Sequence, residues 1–272
     1  MEQESEGQSH LRPGTSRASE EAGRYVYCVA GRGEEISLGE MGIEGSRVYT
    51  LVHRDLCALV HNCPPQPYQS EDADTVGRWV LAHHRVVDSA WRRWGTVVPV
   101  TFNTIIKGEH GDAGDNLVAW LDREHESLKG RLEALAGKAE YGAQVFWDIK
   151  RIASTVARDS PELRQLQQEI AIKPRGLAYM YRQKLENLLK KAIEAKAAEE
   201  FKDLYARLSR CVDSIHVEKT RSAGEGRQML IHVSCLVSAD RCTDLQAELD
   251  EIGNAEGHFV RLAGPLPPYS FC

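Results

Sequence analysis

The chain has 272 residues, 42% of them apolar and 27% charged, which excludes a disordered chain, a collagen and a disulfide mini-protein. Its length allows one large domain or two small ones, at roughly 100–200 residues each. A formal net charge of −6 disfavours nucleic acid and anionic lipid as partners, because both need a cationic surface.

Residues 1–22 contain one leucine and no aromatic residue, too little apolar surface to offset the entropy of ordering, so they read as a disordered tail. That tail lacks the basic start and apolar centre of a secretory signal. No apolar run approaches the ~20 residues that cross a bilayer. The expectation is a cytoplasmic protein, and its seven cysteines, none in CxxC spacing, are expected to be reduced.

Residues 25–30 form a β-rich run and 31–45 a glycine-dotted loop. Residues 48–53 and 56–61 pair as a hairpin around Arg54 and Asp55, stopped by the prolines at 64, 65 and 67. A helix follows over 72–94, closed by Gly95. A strand over 97–106 has an irregular start at Pro99, and a second helix covers 116–135. Glycines 137 and 142 mark a boundary, after which the pattern restarts. Residues 143–149 read as a strand. Ser160 and Pro161 open a short helix through Ile170. From Gly176 to about Leu208 runs the longest helical pattern, with Tyr181, Leu185, Leu188, Ala192, Ala195, Ala198, Phe201, Tyr205 and Leu208 as its apolar stripe. Residues 212–217 and 229–237 are strands, 239–252 a helix and 258–262 a last strand. With the two helices counted as one crossover, this second half has the βαββαβ order of a ferredoxin-like fold. The predicted division is a tail to 22, an α+β domain over 23–138, and a ferredoxin-like α+β domain over 139–272 with an inserted long helical hairpin.

Few residues carry recognisable chemistry. His53, Cys57, His61 and Cys63 offer two imidazoles and two thiols, the donor types of a zinc site, though without finger spacing. His83 and His84 are adjacent on a helix and point about 100° apart, so a structural or interaction role is favoured. His125-Glu126 lacks the second histidine of HExxH, and neither GxSxG nor a Walker loop occurs. Asp148 ends a strand, where a turn or cap role is expected. The strands lack the basic-Gly-aromatic pattern of an RRM. The carboxyl end, Gly264-Pro265-Leu266-Pro267-Pro268-Tyr269-Ser270-Phe271, is held near extended geometry by its prolines. It is expected to cover the domain, to dock a partner, or both.

Several blocks occur in an order that resembles the gas vesicle GvpL/GvpF family. They are Tyr25-Val26-Tyr27-Cys28-Val29; Leu56-Cys57-Ala58-Leu59-Val60; His83 with Val86-Val87; and Val97-Val98-Pro99-Val100-Thr101-Phe102-Asn103-Thr104, similar to "vlPvrFGT". Residues 141–148 resemble a strand ending in Trp-Asp. Gly176, Tyr179 and Lys184 fit "GxxYxxxxK", and the tail is similar to "GPWPPYSF". Thr101, Asn103 and Leu266 depart from it, standing where the family has Arg, Gly and Trp. The resemblance spans about 24–272. It implies two α+β domains and a non-enzymatic accessory protein without cofactor or metal. Such a protein binds the hydrophobic gas vesicle shell protein, assists nucleation and assembly, and is a minor vesicle component. Its other partners would be further gas vesicle accessory proteins, with no nucleic acid and no membrane. The partner-binding residues expected are His83, Phe102, Pro265, Pro267, Pro268, Tyr269 and Phe271. Two other readings stay open: a metal-dependent enzyme using His53, Cys57, His61 and Cys63, and a nucleic-acid-binding ferredoxin-like module.

Overall fold

The computed structural model describes residues 22–108, 112–220 and 226–272. The expected tail lies outside the described residues except for Ala22. The elements group into two compact units, one running to Ala136 and including Pro267–Ser270 and Cys272, the other Gly137–Leu266 with Phe271.

The first unit holds strands β1 (Gly23–Gly31), β2 (Ser37–Gly39), β3 (Val48–His53) and β4 (Leu56–Cys63), helix α1 (Ala73–Trp94), strands β5 (Val97–Pro99) and β6 (Ile105–Lys107), and helix α2 (Ala113–Leu135). The sheet order is β2-β3-β4-β1-β5, with β6 on another stretch of β1. The central strand β1, rich in Val, Tyr and Cys, is buried along nearly its whole length. The Asp72 carboxylate accepts the Asp74 and Thr75 amides to start α1, and Gly95 closes it at φ 76°, a left-handed conformation that glycine takes without strain. Trp79, Ala82, His83, Val86, Val87 and Ala90 are the buried side of α1. Helix α2 buries a separate row of leucines that includes Leu117, Leu121 and Leu128.

The strand expected over 97–106 is two strands. β5 pairs with Cys28–Ala30 and β6 with Gly23–Tyr25. Pro99 has no amide to continue the ladder, and Asn103 turns the chain at φ 70°, with the Thr104 amide bonded to the Thr101 carbonyl at 3.1 Å. The stretch read as a loop over 31–45 contains β2 and a 3-10 turn at Ile43–Gly45.

The second unit holds β7 (Lys138–Asp148), α3 (Ile149–Asp159), α4 (Pro161–Ile172), α5 (Arg175–Cys211), β8 (Ser214–Val217), β9 (Arg227–Ser238), α6 (Cys242–Asn254) and β10 (His258–Leu266). Its sheet is antiparallel, in the order β10-β7-β9-β8. Trp147, Leu204, Leu208, Ile231, Val233, Leu245 and Leu249 are in its core. Asp148 is a helix cap, its carboxylate accepting the Arg151 amide at 3.0 Å. It opens α3, a helix that the expected strand over 143–149 left out and that buries no side chain fully. Ser160 caps α4, with Pro161 in its first turn. The stripe expected along α5 is not one continuous buried face. Leu204 and Leu208 are buried and Phe201 packs on the core, whereas Ala195 and Ala198 are exposed. Ile193 and Ala197 also pack on that core, and the helix meets α3, α4 and α6 as well as β9.

Candidate functional site

Strand β1 places Tyr25 and Tyr27 two residues apart, so both phenols leave the same face of a buried strand. A buried hydroxyl without a partner is costly, and each finds an imidazole. Tyr25 Oη lies 2.9 Å from His83 Nδ1 on α1, and Tyr27 Oη 2.8 Å from His61 Nδ1 on β4. The Asn103 amide donates to Tyr25 Oη at 3.1 Å, and the Ile43 amide donates to Tyr27 Oη at 3.0 Å. The tautomer with each phenol donating to Nδ1 and the ring proton on Nε2 satisfies all of these groups. From there His61 reaches Tyr68 Oη at 2.9 Å, and His83 bonds the Val100 backbone. Gly42 permits the approach to Tyr27, since a Cβ there would stand 2.7 Å from the phenol oxygen.

Burial sets the protonation of this cluster. Desolvation lowers His61 and His83 to about 4, so both are neutral at physiological pH. The same desolvation raises Tyr25 and Tyr27 far above the ordinary phenol range and Tyr68 to about 12. The arrangement is an uncharged network of protonated phenols and neutral, singly protonated imidazoles. Its hydrogen bonds orient the side chains of β1, β4 and α1 against one another.

Beside it opens a largely apolar cavity of about 420 Å³. Its walls include His83, Phe102 and Tyr269, with Val80 and Leu81 of α1 exposed at its side. Phe102 sets its edge against His83, with ring centroids 5.9 Å apart. Tyr269 Oη lies 2.8 Å from His84 Nδ1, so the two adjacent histidines serve different neighbours. Asn103 clamps the chain below: its amide group bonds the Tyr68 carbonyl at 3.0 Å and accepts the Tyr68 amide at 2.9 Å. Asparagine is also among the residues that tolerate its left-handed backbone.

The structure thus brings His83, Phe102 and Tyr269 together. Pro267 and Pro268 are buried in the first unit, so they hold Tyr269 in place. Pro265, after a cis bond from Gly264, and Phe271 belong to the second unit and do not line this cavity. The expectation that the whole tail stays with the second half is corrected by the burial of these prolines and the Tyr269–His84 hydrogen bond.

The proposed metal cluster does not assemble, and among the described residues no three His, Cys, Asp or Glu side chains form a metal site. His53 is turned to Asp122, with Nε2 2.7 Å from its carboxylate, and both ring nitrogens of His61 are spent on tyrosines. Desolvation raises Cys57 and Cys63 to about 11, keeping them as thiols. Sequence reasoning passed over Tyr25, Tyr27 and Tyr68. The available signal was two phenols at alternate positions of an otherwise apolar strand.

The sequence profile of the family described as gas vesicle synthesis protein GvpL/GvpF matches residues 23–272. Gas vesicle protein L1 of Halobacterium salinarum is 28% identical over 257 residues, covering 92% of this chain and 90% of that protein. Gas vesicle protein F of a Streptomyces species is 32% identical over 266 residues, covering 91% of this chain and 98% of that protein. The crystal structure of GvpF from an Anabaena species has a similar fold, with a TM-score of 0.74 at 16% identity, over 92% of this chain and 98% of that one.

Proposed function

The chain belongs to the gas vesicle synthesis protein GvpL/GvpF family, and from that premise we propose that it binds the hydrophobic gas vesicle shell protein and assists nucleation and assembly of the vesicle. It acts in the cytoplasm without catalysis, alongside other gas vesicle accessory proteins, and stays as a minor vesicle component. The observation that carries this reading is the apolar cavity walled by Phe102 and Tyr269, with Leu81 beside it 62% exposed. An apolar side chain of the shell protein, which aggregates readily when unassembled, gains ~0.8 kcal/mol per methylene buried there. His83 supports the wall from below, and Pro267 and Pro268 fix Tyr269. The order β10-β7-β9-β8 and the run of elements in the second unit support a modified ferredoxin-like domain with a long helical insertion.

A pull-down with purified shell protein tests the proposal. Leu81→Asp, at an exposed position, is expected to weaken capture roughly tenfold or more with the circular dichroism spectrum unchanged. Normal vesicles by microscopy after deletion of the gene, together with no capture by the unmutated chain, would overturn it.

A further inference from the structure

Charge is unevenly distributed along the chain. Residues 149–196 hold eleven Lys and Arg against five Asp and Glu, a local net of +6 within a chain of net −6. These residues form α3, α4 and most of α5. Near the junction of α4 and α5, large apolar side chains face water: Ile172 is 82% exposed, Met180 66% and Leu177 50%. Leu177, Met180, Lys184 and Lys191 succeed one another by three, four and seven residues, so they share one face of α5. Lys184 and Lys191 are exposed. The ion pairs that the described residues form on this arm involve Arg151, Arg158 and Lys196 instead.

A surface of opposite character lies elsewhere in the same unit. Helix α6 carries Asp244, Glu248, Asp250 and Glu251 and no Lys or Arg between Cys242 and Asn254. Arg207 spans Glu248 at 2.5 Å and Glu251 at 3.0 Å, Asp250 accepts Gln246 Nε2 at 2.9 Å, and among the described residues the ion pairs of α6 are those of Glu248 and Glu251. Between α6 and β10, which ends the sheet, run cavities of about 470 and 590 Å³ that share Gln246, Asp250 and Leu262. Leu245 lines one and Leu249 the other.

We propose that the apolar, cationic face at the start of α5 docks into the apolar, acidic crevice beside α6 of a second copy of this chain. The two surfaces complement each other in charge and in apolar character. One chain cannot satisfy itself. α5 is a single helix, and Met180 precedes Arg207 by 27 residues, about 40 Å at 1.5 Å per residue. Arg207 is itself fastened to α6, so the tip is held far from its own crevice. Made reciprocally, the contact closes a two-fold dimer; made head to tail, it extends into a ring or a row. The inference is independent of shell-protein binding.

Sedimentation velocity on the full chain, over a range of concentrations at low and high salt, tests it. Association is expected to grow with concentration and to weaken as salt screens the pairing. Lys184→Glu with Lys191→Glu reverses the arm, and Gln246→Lys with Asp250→Lys, both lining the crevice, reverses the other surface. Each doubly substituted chain alone is expected to associate roughly tenfold or more weakly. A mixture of the two restores opposite charge at both contacts, so association returns. A chain that stays monomeric at every concentration overturns the proposal, as does a mixture no more associated than its components. Binding of the monomeric chain to anionic lipid vesicles or to RNA would assign the arm to another partner and equally overturn it.

Discussion

In the first unit, the sheet face toward α1 carries Tyr25, Tyr27 and His61, with His83 of α1 set against them, whereas the second unit's core is built around Val145, Trp147, Ile231, Val233 and Leu245. The difference lies in what each core specifies. Apolar side chains of similar volume can exchange places at modest cost. A buried phenol paired to one imidazole nitrogen accepts one register only, because a slip leaves both groups unpaired. The first unit therefore has its strand and helix positions set by hydrogen bonds as well as by packing, and its buried titratable groups include two imidazoles.

Acidification should separate the two regions most widely. Burial holds His61 and His83 near 4 in the folded chain, against an ordinary value of 6.5. Between those values the unfolded chain binds more protons than the folded one. The stability these histidines contribute is therefore complete above about pH 6.5 and lost as pH falls toward 4. Four of the five tryptophans, at 79, 91, 94 and 120, lie in the first unit. Urea unfolding followed by tryptophan fluorescence should show a midpoint that drops by several kcal/mol of stability across that window. A midpoint unchanged from pH 7 to 4.5 would break the comparison.

Trp147→Ala probes the second core. Trp147 is fully buried and its Nε1 donates to Gln228 at 3.0 Å, so a loss of ~3–5 kcal/mol is expected from the cavity. Its effect should be insensitive to pH over the same window, as followed by far-ultraviolet circular dichroism. A smaller change sharpens the point further. Tyr27→Phe keeps the ring but orphans the Ile43 amide and His61 Nδ1, at an expected ~1–3 kcal/mol. If chemical denaturation finds Tyr27→Phe neutral, packing alone orders the first core.

Much of this molecule was readable in its residues because the signals are local. Asp72 and Gly95 bracket α1, Arg54 and Asp55 turn the β3–β4 hairpin, and Ser160 with Pro161 opens α4. Each acts through neighbours a few residues away. The second half was legible in order because its strands alternate with long helical periods. Less was legible where packing is partial: α3 buries no side chain fully, and in the middle of α5 the core is met by Ile193 and Ala197 while Ala195 and Ala198 of the expected stripe face water. The candidate site was legible in parts. His83, Phe102 and Tyr269 were named separately, while the His61 imidazole was grouped with cysteines on donor type alone.

The amino-acid order by itself determined most of the elements, their succession and the family, since helix caps, turn residues and short motif blocks act over a few positions. Which imidazole each tyrosine meets was decided only by the tertiary structure. Tyr27 and His61 stand 34 residues apart, Tyr25 and His83 58, and His84 and Tyr269 185. No local rule reaches that far. These pairs form because the antiparallel register of β1 with β4, and the packing of α1 on β1, bring one phenol and one imidazole into each buried space, where neither can be left without the other.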